Sequence, residues 1–246
     1  MDSGTPGITG LRVVTYNVHK CRGMDARVSA VRIASVLGEI DADVVALQEV
    51  LGDQAEAIAA EMGMAFVIGE NRRHQGFAYG NVVLSRFPIR ATQNYDLSVE
   101  GREQRGCLRA DLDLNCAGVL HVFNIHLGTG LLERRHQGRK LVAAQLLGDL
   151  AWEAPRVVLG DFNEWTRGLT TRLLRAQMIS ADFRRRSYPG LLPLLHLDHI
   201  YYDPALSLEH IKVHRSRLSL MASDHLPLVG DFRWSVTEGP KENGSK

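Results

Sequence analysis

Cysteine is scarce in this chain: Cys21, Cys107 and Cys116 are the three in 246 residues. An odd number with no repeated spacing excludes a disulfide framework and suits a reducing compartment, where such thiols are packed or idle rather than ligands or nucleophiles. Long apolar runs are missing as well. Nowhere do about eighteen apolar residues follow one another without interruption, so no segment reads as a transmembrane helix. Met1 to Gly10 lacks a basic stretch leading into an apolar one, so no secretory leader is legible. These absences lead us to expect a soluble, cytoplasmic protein. An excess of charge is also lacking: Lys and Arg total 29 against 28 for Asp and Glu, a formal net charge of +1. No bulk field therefore draws the chain to nucleic acid or anionic membrane, and only a local basic patch could do so.

What is present is enough apolar material for one large core, at 45% hydrophobic residues. We expect a single domain over residues 11–234, with residues 1–10 and the polar stretch 235–246 as flexible termini. Leu11 to Val18 is a β-branched run that reads as a buried strand. From Arg27 to Ile40, Val28, Val31, Ala34, Val36, Leu37 and Ile40 fall broadly on one helical stripe. Asp43 to Glu49 reads as a strand, Gln54 to Met62 as a helix and Met64 to Ile68 as a short strand, so the chain begins in α/β alternation. Asn81 to Ser85, Gly106 to Leu114 and Val119 to His126 are strands without intervening helices, which predicts antiparallel pairing. A long helix is expected over Leu131 to Trp152, a strand over Arg156 to Leu159 and a helix from about Leu169 to Gln177. Leu197 to Tyr202, Glu209 to Val213 and Leu228 to Trp234 read as closing strands, with a Pro/Gly loop at Tyr188 to Pro193. Periodicity alone supports mixed α/β and no more.

Four short segments at the ends of these strands carry polar chemistry: Thr15-Tyr16-Asn17, Leu47-Gln48-Glu49, Gly160-Asp161-Phe162-Asn163 and Ser223-Asp224-His225. Glu49, Asp161 and Asp224 offer hard oxygen ligands, Asn17 and Asn163 neutral amide oxygens, and His225 a proton exchanged near neutral pH. Each has a plainer reading, since carboxylates at strand ends are often solvated and Gly-Asp-x-Asn is ordinary turn chemistry. With Asn81-Val82-Val83-Leu84-Ser85-Arg86, Arg105-Gly106-Cys107-Leu108-Arg109, Asn124-Ile125-His126-Leu127 and Leu197-Asp198-His199-Ile200, their order resembles the endonuclease/exonuclease/phosphatase superfamily, from Leu11 to about Trp234.

The resemblance implies an α/β fold, a four-layer sandwich of two mixed β-sheets packed face to face with helices outside. It implies metal-assisted hydrolysis of a phosphodiester or phosphomonoester, with Mg2+ as cofactor and Mn2+ as a substitute. Glu49 would be the principal metal ligand, with Asn17 and Asp224 beside it. Asp161 would hold the water or a second metal, and Asn163 would bind a phosphoryl oxygen. Asp198 would fix the tautomer of His225, the pair forming the base. His126 would stabilise the transition-state phosphate or protonate the leaving oxygen, and Arg105 would bind phosphate, with Arg109 competing for that role.

One departure stands out: DNase I-like members carry a glutamate supporting the first histidine, whereas no acidic residue lies between Asn71 and Tyr95, and Asn81 is the neutral substitute. With His126 where abasic-site endonucleases usually have tyrosine, this turns the expectation towards a small or lipid-like phosphoester. A DNA or RNA nuclease is the alternative, its groove built from Arg72-Arg73, Arg134-Arg135 and Arg184-Arg185-Arg186. Nucleic acid is thus allowed but not favoured as a partner, and no partner protein is evident.

Overall fold

The structure, a computed structural model, describes residues 8–115, 118–143, 147, 154–166, 168–181 and 185–235. The expected flexible termini beyond these limits, Cys116, Arg184 and most of the segment from 144 to 153 lie outside the described residues.

The chain runs through β1 (Ile8–Asn17), a 3-10 turn (His19–Cys21), α1 (Ala30–Ile40), β2 (Val44–Leu51), α2 (Gly52–Met62) and the hairpin of β3 (Ala65–His74) and β4 (Phe77–Ser85). It continues with β5 (Ile89–Asp96), β6 (Gly106–Asp113), β7 (Val119–His126), α3 (Leu131–Leu141), β8 (Arg156–Asp161) and α4 (Leu169–Arg175). β9 (Ile179–Ser180), β10 (Asp198–Tyr202), β11 (Leu206–Val213), α5 (Arg217–Ala222) and β12 (Leu228–Ser235) complete it. Two six-stranded sheets result, ordered β11-β12-β1-β2-β4-β3 and β5-β6-β7-β8-β10-β9. Each is mixed: β1 and β2 run parallel, as do β7 and β8, while the other pairings are antiparallel.

Three apolar layers hold this together. Successive strand residues point to opposite faces, so Val13 and Val44 meet Val122 and Leu159 between the sheets, while Val14 and Val45 meet Ile33 and Leu37 of α1 and Ile58 of α2. On the far side Phe123, Ile125 and Tyr201 pack with Leu141 of α3 and Leu174 of α4. Strands covered on both faces read as continuous apolar runs, which is why Val44-Val45-Ala46-Leu47 shows no alternation. The four-layer α/β sandwich is therefore the observed fold.

Several expected boundaries move. α1 begins at Ala30 because the Ser29 hydroxyl accepts the Arg32 N–H at 3.2 Å, an N-cap that ends the extended chain there. Val28 precedes the helix and Val31 lies on its outer side, so both are exposed rather than on the buried stripe. α3 ends at Leu141, with Val142 and Ala143 outside the helix, so the expected helix to Trp152 is shorter over the described residues. β5 has no counterpart in the sequence reading: its residues Arg90 to Asn94 are exposed on a sheet edge, where burial imposes no apolar pattern.

Between the sheets, directly under their central strands, a polar staple replaces apolar packing. Gln48 Nε2 donates to Asn124 Oδ1 at 2.8 Å, and Asn124 Nδ2 donates to the Leu47 and Val82 carbonyls at 2.8 Å. Asn81 Nδ2 donates to the Gly106 and Asn124 carbonyls at 3.0 Å. All three side chains are fully buried. Apart from Asn81 Oδ1, which has no partner among the described residues, these amides are bonded, and the network ties one sheet to the other at the depth where the polar site begins.

Candidate active site

The parallel pairs β1/β2 and β7/β8 end at the same end of the sandwich, and there the polar segments meet. Asn17 Nδ2 from β1 donates to Glu49 Oε1 of β2 at 3.2 Å and to Asp161 Oδ2 of β8 at 3.0 Å, crossing from one sheet to the other. Glu49 is aimed there by a bulge: the register of β2 on β4 shifts between Leu47 and Val50, and Glu49 itself has φ 60°. A non-glycine residue held in the left-handed region costs about 1–3 kcal/mol, and such strain concentrates at functional sites. Gln54, which accepts the Leu51 N–H at 3.2 Å and donates to the Lys20 carbonyl at 2.8 Å, ties the following helix to the loop after β1.

Asp161 follows Gly160, whose φ is 146° and where a Cβ would lie 1.9 Å from the Ile125 carbonyl oxygen, so only glycine lets β8 approach β7 here. The turn continues with Asn163 at φ 50°, its N–H donated to Asp161 Oδ1 at 2.9 Å and its Nδ2 to the Leu127 carbonyl at 2.9 Å. From β10, which pairs Asp198 opposite Asp161, the Asp198 Oδ2 meets His225 Nδ1 at 3.0 Å. The same oxygen accepts the Ser187 hydroxyl, a buried partner that sequence reasoning missed because serine in a loop has no distinctive spacing. His225 Nε2 then faces Asp161 Oδ2 at 3.7 Å, and the Tyr188 ring covers the imidazole at a centroid distance of 4.8 Å. Ser223 positions the loop by donating its hydroxyl to the Asn17 carbonyl at 2.8 Å.

The opposite flank is built on His126, the last residue of β7. Its Nε2 lies 3.8 Å from both Glu49 Oε1 and Asp161 Oδ2. Arg105 Nη1 sits 2.8 Å from its Nδ1, and Arg105 Nη2 pairs with Glu103 at 2.8 Å, which Arg72 also pairs at 2.8 Å. Arg72 and Lys20 lie over the buried Tyr79 ring, 4.7 and 5.8 Å from its centroid. His126 is thus held by Arg105, while Asn81, expected as its neutral partner and as a substrate contact, is buried in the inter-sheet staple and bonded to backbone. Arg109, the competitor of Arg105, points away and pairs with Asp111 at 2.7 and 2.5 Å.

The charges are set by this crowding. Burial alone would raise the Glu49 carboxyl, but hydrogen bonds from His19 and Asn17 and the nearby His126 hold it well below the usual carboxylate range. Burial and Arg105 push His126 down to about 3, so it is a neutral ring. Asp161 is raised by burial, and His225, despite burial, is raised by the carboxylates of Asp198 and Asp161, so the proton in that pair favours the imidazole. No lysine or arginine among the described residues pairs with Glu49 or Asp161. The buried carboxylate of Asp161 and the half-buried one of Glu49, bridged by the Asn17 amide, make a concentration of oxygen ligands that a hard divalent cation fits; the Glu49 and Asp161 oxygens would hold it, whereas Asn17, expected as a ligand, turns its Nδ2 to them and its Oδ1 to the His19 N–H at 3.0 Å. Asp161, Asp198 and His225 also offer ligand atoms within 4.8 Å of one another. Asp224 is not part of either group: its Oδ1 faces the Ser223 hydroxyl at 3.3 Å, and it lines a pocket of about 240 Å³ with His19 and Arg22.

A model of the endonuclease/exonuclease/phosphatase family matches residues 14–225, from within β1 to His225. The chain belongs to that family. Uncharacterized protein YbhP of Escherichia coli K12 is 31% identical over 244 residues, covering 90% of this chain and 95% of YbhP. A family member from Beutenbergia cavernae DSM 12333 superposes with a TM-score of 0.74 at 25% identity, over 92% of this chain and 72% of that one. The mannosyl-6-phosphatase Bt3783 of Bacteroides thetaiotaomicron VPI-5482 gives 0.73 at 17%, over 90% and 99%, which is likeness of fold alone.

The arginines expected to form a nucleic-acid groove divide differently in this family member. Arg72 is paired with Glu103, Arg73 with Glu70 at 3.4 Å, and Arg134 is buried beside Trp165, donating to the Gly128 and Thr129 carbonyls. Gln137, which accepts the Gly128 N–H at 2.9 Å, braces the same loop behind His126. His121 bonds Asp111 at 2.6 Å and His199 stacks edge-on with Phe162.

Proposed function

We propose that this protein is a Mg2+- or Mn2+-dependent phosphoesterase that cleaves a small or lipid phosphoester by attack of water. The observation that carries the reading is the convergence of Asn17, Glu49 and Asp161 beside the Asp198–His225 pair, two carboxylates that no lysine or arginine among the described residues pairs, next to an oriented imidazole. Phosphoester hydrolysis needs charge neutralisation, a proton acceptor for the water and stabilisation of the phosphoryl oxygens, and each has a candidate here.

Asp198 accepts at Nδ1 of His225 and leaves Nε2 facing Asp161, where a water placed between them would lose its proton to the ring. The neutral His126 and the cationic Arg105 would donate to phosphoryl oxygens on the other flank, and the second N–H of the Asn163 amide would serve the same end. Phosphorus then exchanges its bond to the leaving oxygen for one to the water oxygen, and the leaving oxygen takes a proton from solvent while His225 returns its own to solvent. When bound, the divalent ion would polarise a phosphoryl oxygen as a Lewis acid and neutralise the carboxylate charge that keeps His225 protonated.

Of the arginines expected to form a nucleic-acid groove, Arg72 and Arg134 are engaged by Glu103 and the loop behind His126 while Arg135, Arg185 and Arg186 are exposed, so the preference for small substrates rests on the compact metal and imidazole site. A panel of lipid, inositol, sugar and nucleotide phosphoesters against plasmid and oligonucleotide DNA, with Mg2+ and Mn2+ at matched salt, tests this. Catalytic efficiency on at least one small or lipid phosphoester should exceed that on DNA. DNA cleavage with every small substrate left intact overturns the ordering and leaves the nuclease reading.

A further inference from the structure

The loops around the site carry an unusual surface. β7, β8 and β10 are adjacent, with His126 paired opposite Asp161 and Asp161 opposite Asp198, so the segments joined to those residues emerge side by side. The chain leaving His126 exposes Leu131 and Leu132, the chain leaving Asp161 exposes Trp165, and the chain leading to Asp198 exposes Leu191, Leu192 and Leu194. These six side chains are between 49% and 76% exposed, and they are six of the thirteen exposed large apolar residues among the described ones. Trp165 and the first turn of α3 are joined through Arg134, 5.3 Å from the indole. The leucine loop is anchored beside the site, since Gly190 N donates to the Asp224 carbonyl at 2.6 Å and Arg215 Nη2 to the Leu191 carbonyl at 3.4 Å.

Charge on this rim has one sign. Over the described residues of segments 127–135, 162–166, 185–194 and 214–217, every exposed charged side chain is an arginine: Arg135, Arg185, Arg186, Arg215 and Arg217. The two acids there, Glu133 and Glu164, are buried and bonded internally, Glu164 to the Thr171 N–H at 2.8 Å. Clustered exposed leucines with a tryptophan are an interaction surface rather than scatter, and arginines among them match the combination of acyl chains and anionic head groups. Nucleic acid would satisfy the arginines but gives five leucines nothing apolar to contact, and stacking uses aromatic rings, of which the described residues of this rim present only Trp165 and the half-buried Tyr188. No helix among the described residues is long and apolar enough to cross a membrane, so the surface would lie on a bilayer.

We propose that this rim docks the protein onto the surface of an anionic lipid bilayer, with the site facing the head groups. The substrate class this implies, a membrane lipid phosphoester, rests on the phosphoesterase reading; the docking does not. Cosedimentation of the full chain with phosphatidylglycerol–phosphatidylcholine vesicles, against phosphatidylcholine alone and against a single-stranded oligonucleotide, tests it. Binding should favour the anionic vesicles and weaken as salt rises. The triple variant Leu191→Ser, Leu192→Ser, Leu194→Ser and, separately, the double variant Leu131→Ser, Leu132→Ser should each partition at least about tenfold less well, given the apolar area each removes. Both should hydrolyse a soluble aryl phosphodiester at the unmodified rate, which shows that they are folded. No binding to anionic vesicles, or binding that both variants leave unchanged, overturns the proposal, whether or not the oligonucleotide binds. Vesicle binding in a protein that turns over no phosphoester upholds the docking and removes the phosphoesterase reading, while turnover of the soluble ester without vesicle binding does the reverse.

Discussion

His225 and Asp198 share one hydrogen bond at 3.0 Å, and the same Asp198 oxygen accepts from Ser187. Residues joined in this way fail together. His225→Ala should lower the hydrolytic rate by about 10²-fold to 10⁴-fold, the scale of one positioned proton-transfer group, with the fold intact by circular dichroism. Adding Asp198→Asn should then cost little more, and losses that multiply in the double variant would show two independent residues. His225, Asp198, Glu49 and Asp161 were legible because each sits in a short motif in or beside a strand, and the motifs follow a fixed order. Ser187, Tyr188 and the Arg72–Glu103–Arg105 chain were not, because their meaning comes from folding distant loops over the same few ångströms. Asn81 was misjudged for the opposite reason: its motif neighbours the site in sequence, yet its strand carries it beneath the site, into the staple between the sheets.

The elements bring these residues together through two local departures from regular strand geometry, the bulge at Glu49 and the turn at Gly160. The second can be tested without touching the chemistry. Gly160→Ala places a methyl 1.9 Å from the Ile125 carbonyl oxygen at a φ of 146°, so β7 and β8 must separate or the turn must change. A loss of about 2–4 kcal/mol of stability is expected, on the scale of overpacking joined to backbone strain, and urea denaturation measures it. An unchanged midpoint would mean that the pair of strands is more pliant than its packing indicates. Glycine before Asp161 was visible in the sequence, but as an ordinary turn signal; the bulge at Glu49 left no trace, since an apolar run reads the same with or without it. β5 escaped because an exposed edge strand needs no apolar period, and α5 because six residues are too few to show one.

At the scale of the whole molecule the two sheets must stay locked for the halves of the site to meet, since Asn17 and Glu49 come from one and Asp161, Asp198 and His126 from the other. Part of the second sheet's stability is electrostatic. Burial would raise the Asp111 carboxyl, but His121 and Arg109 hold it below the usual range. A depressed carboxyl stabilises the fold above its unfolded value, about 3.9, and that stability is lost as pH falls through the folded value. Urea midpoints of the wild type should therefore exceed those of Asp111→Asn at pH 7 by more than they do on the acid side of about pH 4; a constant difference would contradict this. The layered architecture was readable from the sequence through buried strands and family motifs, whereas the sheet order, set by pairings between distant segments, was not. The claim on which the rest depends is that Glu49 and Asp161 hold a catalytic divalent ion. The initial rate of hydrolysis of an aryl phosphodiester should vanish on chelation, return with added Mg2+ or Mn2+, and fail to return in Glu49→Gln; chelated protein that hydrolyses as fast as metal-loaded protein would contradict it.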